Sequence, residues 1–397
     1  MLKKIDVKSL FGLYSYSLDF TNSDDLPVKF ITGPNGYGKT TILSLINSLC
    51  RCRFDAFLRV PFNSIKFYFD NETVELLQTS EQATEDGPEA EKVDESHQEE
   101  VSLVIRFNRT GQEQNFESKL KAGDNIDHVD SNLKMFLSSL SCYYIKDQRL
   151  KHKQLEAVKK EEIASAISDS IIAVKDNSDD LCKRLQSWRI RLLGALNVSR
   201  LDFSISINEV DYNNRKQQLL PILEQLRKFG LADEELTLKD YSADNVVFIS
   251  AFLVALEKAA KEVAPFVKSL ETFFDIIERS CFANKKMEIN PRYGYRFVMD
   301  NELHTILSLA DLSSGEQHIL IQSYELLFKA QSNALVLVDE PEMSFHLMWQ
   351  MDFLKNLKSI MAQSDIQCII ATHSPQIFSQ DWKLTVDLYK QSEEEEV

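Results

Sequence analysis

The sequence predicts an α/β fold: a P-loop head interrupted by a β-rich insert and by a helical insertion subdomain. Three observations carry that reading. GPNGYGKTT, residues 33–41, meets the pattern G-x-x-x-x-G-K-[ST] at Gly33, Gly38, Lys39 and Thr40. An apolar run at 28–31 precedes it and ILSLI at 42–46 follows, which is the strand–loop–helix setting that pattern needs. Two more apolar runs, at 335–338 and 369–371, read as buried strands; Asp339 and Glu340 end the first, and His373 follows the second.

In such a loop the glycines let backbone N–H groups face a phosphate without a clashing Cβ. The helix that follows adds orphan N–H donors and a partial positive charge. Gly33, Pro34, Asn35, Gly36, Tyr37 and Gly38 form the cradle, with Thr41 just beyond it. Lys39 is placed to reach the β- and γ-phosphates, and Thr40 to set its hydroxyl on Mg²⁺. ATP and Mg²⁺ are therefore the expected ligands.

Taken in order, residues 1–32 read as two strands around a loop, then a third. Ile5, Val7 and Leu10 lead into Tyr14, Tyr16, Leu18 and Phe20, which alternate with polar or small residues. Residues 53–120 are β-rich: 64–69 alternates, Asp70-Asn71 turns the chain, 73–77 returns, and 101–107 is a further strand. The acidic stretch 81–100 has few apolar anchors and reads as a mobile loop. A short helix and a strand at 142–145 close the first region, 1–150, of the ATPase head.

Residues 151–282 are mostly helical. Ile163, Ile167, Ile171 and Val174 keep helical spacing, as do Leu181, Leu185, Trp188 and Leu192. One apolar stripe runs from Ile249 to Ile277, within a helical stretch of about 50 Å at 1.5 Å per residue, with a kink expected at Pro265. Its simplest reading is a subdomain of helices packed on one another. Residues 283–397 return to strands and helices, opening with a hairpin of 287–290 and 295–299.

Composition narrows the function. No apolar run approaches the roughly 20 residues that span a bilayer, and MLKKIDVKSLFG lacks a signal peptide's apolar core. A cytoplasmic protein without a membrane partner is expected. Six scattered cysteines, with no C-x-x-C pair, fit reduced thiols. The net charge is −16, of which residues 81–100 carry −8 and the run 393–396 carries −4. A local basic face could still bind nucleic acid, but this composition gives DNA no support.

Four more motifs follow the loop. Gln148 comes after the strand at 142–145. LSSGEQ, residues 312–317, contains Ser313-x-x-Glu316, a capping-box pattern. Asp339 at a strand end can hold Mg²⁺, and Glu340 beside it can orient or deprotonate a water. IIATHS ends in His373-Ser374. P-loop, Gln, LSSGEQ, strand-DE and strand-H, in this order, resemble the ABC-type ATPase superfamily. DEPEMSFH and ATHSPQIF resemble its soluble SMC/RecF/OLD-like branch. The 273 residues from Thr40 to Ser313 also exceed what transporter ATPases usually have. The resemblance covers about 1–50, 141–150 and 286–390.

The resemblance implies roles. Gln148 would be the Q-loop glutamine near Mg²⁺ and the attacking water. Asp339 and Glu340 would be the Walker B pair, with Thr40, Gln148 and Asp339 around the metal. His373 would be the switch histidine; Glu340, His373 and Gln148 form the catalytic set. Ser313 and Gly315 would contact the γ-phosphate of the opposite subunit, with Ser314 and Glu316 in the same nucleotide-binding segment, and 343–346 would be the D-loop at a dimer interface. Ser314 departs from the transporter pattern, which has glycine there. The implied machine is a head-to-tail dimer, or a larger oligomer, that ATP closes and hydrolysis opens.

OLD proteins carry a nuclease domain after the ATPase, whereas this sequence runs only about 24 residues past His373. A separate effector protein, such as a nuclease, is therefore expected as partner. That arrangement resembles two-component bacterial anti-phage defence of the PARIS type, with an AriA-like ATPase subunit. The competing expectation is a RecF/SMC-like DNA-repair ATPase that clamps DNA. The chain itself is expected to lack nuclease activity, because its motif acids are assigned to ATP.

Overall fold

The computed structural model describes residues 1–21, 26–81, 100–110, 116–121, 124, 129–146, 161–280, 282, 284–343 and 345–394. The chain opens with β1 (Leu2–Leu10), β2 (Tyr14–Asp19) and β3 (Val28–Thr32), then α1 (Lys39–Cys50) and α2 (Asp55–Arg59). Next come β4 (Ser64–Phe69), β5 (Glu72–Glu81), β6 (Glu100–Arg109), β7 (Phe116–Lys121), α3 (Ser131–Ser139) and β8 (Cys142–Ile145). The long helices are α4 (Glu161–Ala195), α5 (Glu209–Lys228) and α6 (Val246–Arg279). A small sheet follows from β9 (Lys285–Asn290), β10 (Gly294–Met299) and β11 (Ile306–Leu307). The chain then runs through α7 (Ser314–Tyr324), β12 (Leu335–Asp339), α8 (Leu347–Met361), β13 (Gln367–Ala371), β14 (Thr385–Asp387) and α9 (Leu388–Glu394).

The α/β architecture is the one expected. Five strands, in the order β14-β3-β13-β12-β8, form the central sheet, and all four pairings between neighbours are parallel. Every residue of β12 and β13 is buried. The reason is that successive side chains enter different cores. Leu335, Leu337, Ile369 and Ala371 join a cluster with α1 residues such as Leu43 and Leu49 and with the antiparallel sheet. Val336, Val338, Cys368 and Ile370 join the cluster built from the helices. A strand covered on both faces reads as a near-continuous apolar run, which is why 335–338 and 368–371 do not alternate.

The β-rich insert belongs to a six-stranded antiparallel sheet, β2-β1-β4-β5-β6-β7. Its inward residues, among them Ile65, Phe67, Val74, Leu76, Ile105 and Phe107, alternate with exposed or half-buried neighbours. The two sheets are tied by Gln367 of β13, whose amide accepts from Leu2 N at 3.0 Å and donates to Leu2 O at 2.7 Å. The acidic stretch falls mainly on 82–99, outside the described residues.

The two expected helical stretches at 163–174 and 181–192 are one helix, α4. α6 continues through Pro265 to Arg279. The helices do not have a core to themselves. Leu181, Leu185, Leu256 and Leu270 lie in one cluster with Val28, Phe30, Tyr324 and Ile370 of the head. α2, β7 and β11 are short elements that the sequence pattern did not single out.

Close packing of α4 on the small sheet leads to one prediction. Gly294 opens β10 at φ +75, and a Cβ there would lie 1.9 Å from Ser178 O. Ser178 Oγ meanwhile accepts from Tyr295 N at 3.1 Å. Gly294→Ala should cost at least about 2 kcal/mol, through a left-handed backbone and an unavoidable overlap. Urea unfolding checks this; an unchanged midpoint would mean that α4 can move away from the hairpin.

Candidate functional site

Parallel pairing brings the C-terminal ends of β3, β8, β12 and β13 to one edge of the sheet, where open α/β sheets bind ligands. β3 runs directly into the glycine loop. Gly38 is the N-cap of α1 at φ 86, and a Cβ on it would sit 2.9 Å from Leu10 Cδ2. Glycine is therefore required both by the backbone and by the neighbour. Pro34, Asn35 and Gly36 are exposed, while Tyr37 and Thr41 are half-buried. Tyr16 Oη donates to Tyr37 O at 2.9 Å, and the Tyr14 and Tyr37 rings are 5.1 Å apart. These contacts hold the loop against β2.

Lys39 is buried, and its ammonium donates to Gly33 O at 2.8 Å and Pro34 O at 3.1 Å. Burial pulls its pKa down, while Glu340, Glu342 and Asp339 oppose that shift by their negative charge. Thr40 Oγ1 donates to Asp339 Oδ1 at 3.1 Å, although the two residues are 299 positions apart. Tyr144 Oη donates to Asp339 Oδ2 at 3.3 Å.

This donor set fits Mg-ATP. A hydroxyl and a carboxylate, both hard oxygen donors, lie together beside a helix N-terminus and glycine backbone. Mg²⁺ binds typically through one or two such protein ligands plus substrate phosphates. Among the described residues no group of three or more His, Cys, Asp or Glu could hold a metal by itself. Thr40 and Asp339 would hold the ion, which would neutralise charge on the phosphates.

Glu340 lies just past β12 at φ 45, an uncommon conformation for a residue with a side chain. Its N–H donates to Ala371 O at 2.9 Å, and Met343 N–H closes a turn onto Glu340 O at 3.2 Å. His373, half exposed, has Nδ1 3.7 Å from Glu340 Oε1 and 3.2 Å from Glu342 Oε1. Glu342 Oε1 also accepts from Thr372 Oγ1 at 2.7 Å and from His373 N at 3.0 Å. Glu342 Oε2 is buried with no hydrogen-bond partner among the described residues.

The LSSGEQ segment forms the expected capping box at the start of α7. Glu316 Oε2 accepts from Ser313 N at 2.7 Å, and Ser313 Oγ accepts from Glu316 N at 3.3 Å. Lys285 of β9 adds two bonds of 2.8 Å to the Glu316 carboxylate. Glu316 and Gly315 are buried, whereas Ser313 and Ser314 are exposed at the helix N-terminus. At the other side of α7, Gln322 donates to Pro341 O at 3.3 Å, linking this helix to the turn after Glu340.

The structure thus brings together Lys39, Thr40, Asp339, Glu340 and His373 from three strand ends. Gln148 and Ser344 lie outside the described residues. Glu342, Tyr144, Tyr16 and Lys285 are site or supporting residues that sequence reasoning missed. Glu342 had a signal in the DEPE run. Lys285, 31 residues from Glu316, had none.

The family model described as AAA ATPase domain (AAA_15) matches residues 1–378. No curated protein matches the chain. Among solved structures, one similar chain is the Smc head domain with an extended coiled coil bound to the C-terminal domain of ScpA, from Pyrococcus furiosus. It is 13% identical, with a TM-score of 0.37, and the match covers 95% of this chain and 91% of that one. Another is the SMC head domain from Thermotoga maritima, at 12% identity and a TM-score of 0.36, covering 95% and 90% of the two chains. No helix among the described residues is long and apolar enough to cross a membrane.

Proposed function

The chain belongs to the AAA_15 family of AAA ATPase domains, and from that premise we propose that it hydrolyses ATP as a nucleotide-gated dimeric switch. The observation that carries the chemistry is the Thr40–Asp339 contact of 3.1 Å beside Lys39, with Glu340 next in the chain. In the proposed mechanism Lys39 and the 33–38 backbone bind the phosphates. Glu340 takes the proton of the attacking water, and His373 orients the γ-phosphate. Gln148 acts with them, as its motif implies.

The dimeric part is supported by Ser313 and Ser314, exposed on a helix N-terminus whose box is locked from behind by Lys285. An exposed N-terminus of this kind suits a phosphate presented by a second copy. Each site would then combine one chain's P-loop with its partner's 313–316 segment. Mixing two inactive variants tests this. Lys39→Ala keeps Ser313, and Ser313→Arg keeps Lys39. In a head-to-tail heterodimer one of the two sites is intact, so at most about a quarter of wild-type turnover is expected after random mixing. No recovery, with heterodimers demonstrated by differential tags, rules out composite sites.

The output of the gate is proposed to be a separate effector protein, such as the nuclease of an anti-phage system. That reading is supported by the DEPEMSFH and ATHSPQIF motifs and by the weak compositional case for DNA. Pull-down with tagged protein in ATP and in ADP tests it. An effector retained in one nucleotide state only is expected. Salt-sensitive, ATP-dependent capture of DNA would instead favour the clamp reading.

A further inference from the structure

Two carboxylates stand near His373 Nδ1, and distance decides between them. Glu342 Oε1 is at 3.2 Å and Glu340 Oε1 at 3.7 Å, so Glu342 is the nearer charge partner of the ring. Glu342 is also the better anchored. It is 5% exposed, and Thr372 Oγ1 and His373 N both donate to the same Oε1. Thr372 is itself fully buried, and its Oγ1 accepts from Ser374 N at 3.0 Å. A buried carboxylate is costly unless it is paired and hydrogen-bonded. Among the described residues its hydrogen bonds come from Thr372 and His373, at the exit of β13.

We propose that Glu342 is a positioning residue for His373: it holds the imidazole proton on Nδ1, turns Nε2 to the nucleotide side, and keeps Glu340 unpaired. The proposal rests on the ATP-hydrolysis reading of this site and extends it. A neutral imidazole carries one N–H, so a fixed acceptor at Nδ1 defines which nitrogen meets the γ-phosphate. The half-exposed ring leaves Nε2 accessible for that contact. Without Glu342 the ring would be free to swing its Nδ1–H to Glu340. The carboxylate needed for the attacking water would then be occupied.

The test reads the tautomer directly, without nucleotide. Protein labelled with ¹⁵N-histidine is recorded at rising pH until the ring nitrogens give the signals of neutral imidazole. His373→Gln identifies the His373 signal among the seven histidines. Wild-type His373 is expected as the Nδ1–H form, and Glu342→Ala should shift it to mainly Nε2–H. Turnover is measured in parallel. Glu342→Ala should lower kcat about 10- to 100-fold while KM for ATP stays within about threefold. Glu342→Gln keeps an acceptor oxygen and should retain the Nδ1–H form, with kcat within about tenfold of wild type.

An Nε2–H form in the wild type overturns the proposal, whether or not any variant folds. So does a folded Glu342→Ala protein with an unchanged tautomer, even if its kcat has fallen, because that is a structural effect. A wild-type chain that turns over no ATP would instead defeat the functional reading on which the proposal rests.

Discussion

Lys39→Ala is expected to abolish productive ATP binding, with turnover reduced by at least about 10³-fold, or roughly 4 kcal/mol. The negative charges of Glu340, Glu342 and Asp339 all act on the Lys39 ammonium. It is also poised by two loop carbonyls at 2.8 and 3.1 Å, so little reorganisation is needed to present it to the β- and γ-phosphates. Removing it takes a positive charge away from a place where three acidic groups stand close to the polyphosphate. Some loss of stability is expected as well, because buried or half-buried carboxylates lose their neighbouring positive charge. The measurements are calorimetric titration with ATP and phosphate release, alongside a thermal melt. Wild-type affinity in a folded Lys39→Ala protein would remove the P-loop from the mechanism.

Glu340→Gln should separate binding from hydrolysis. The amide has nearly the shape of the carboxylate but cannot accept the water's proton, so kcat should fall about 10²- to 10⁴-fold. Binding should persist, because among the described residues the Glu340 side chain makes no hydrogen bond to the loop or to Thr40, and acts on Lys39 through its charge alone. Its side chain is 21% exposed and 3.7 Å from His373 Nδ1, which leaves it able to meet a water. The backbone turn at φ 45 uses main-chain bonds to Ala371 O and from Met343 N, and these survive the substitution. The variant should therefore accumulate an ATP-bound assembly. Light scattering in ATP and in ADP reads this directly. Hydrolysis at the wild-type rate would show that another group is the base, and hydrolysis that stops together with ATP binding would assign Glu340 to the phosphate cradle.

Much of the site was legible in the sequence because its parts are local. A P-loop is a strand, a tight loop and a helix in one continuous stretch, and each leaves its own pattern: an apolar run, glycines, then helical spacing. The capping box is likewise a three-residue relation, and Ser313 and Glu316 form it as written. The central strands were readable because burial on both faces leaves near-continuous apolar runs, with polar residues only at the strand ends, Asp339 in β12 and Gln367 in β13.

What only the tertiary structure decided is which of these local pieces meet. The motif resemblance placed Thr40 and Asp339 around one metal ion, but nothing in the order of residues states that Gln367 bonds the backbone of Leu2 or that Lys285 locks Glu316. Nor does helical spacing reveal that α4 and α6 share the head's core, since an apolar stripe is the same whatever it packs against. Glu342 shows the limit most sharply. Next to Asp339 and Glu340 it reads as one more acid, and only strand pairing between β12 and β13 brings Thr372 and His373 onto one of its oxygens. Chemistry held within a few bonded neighbours is written in the chain, whereas chemistry that depends on hydrogen-bond distance across hundreds of residues is fixed by sheet register and packing.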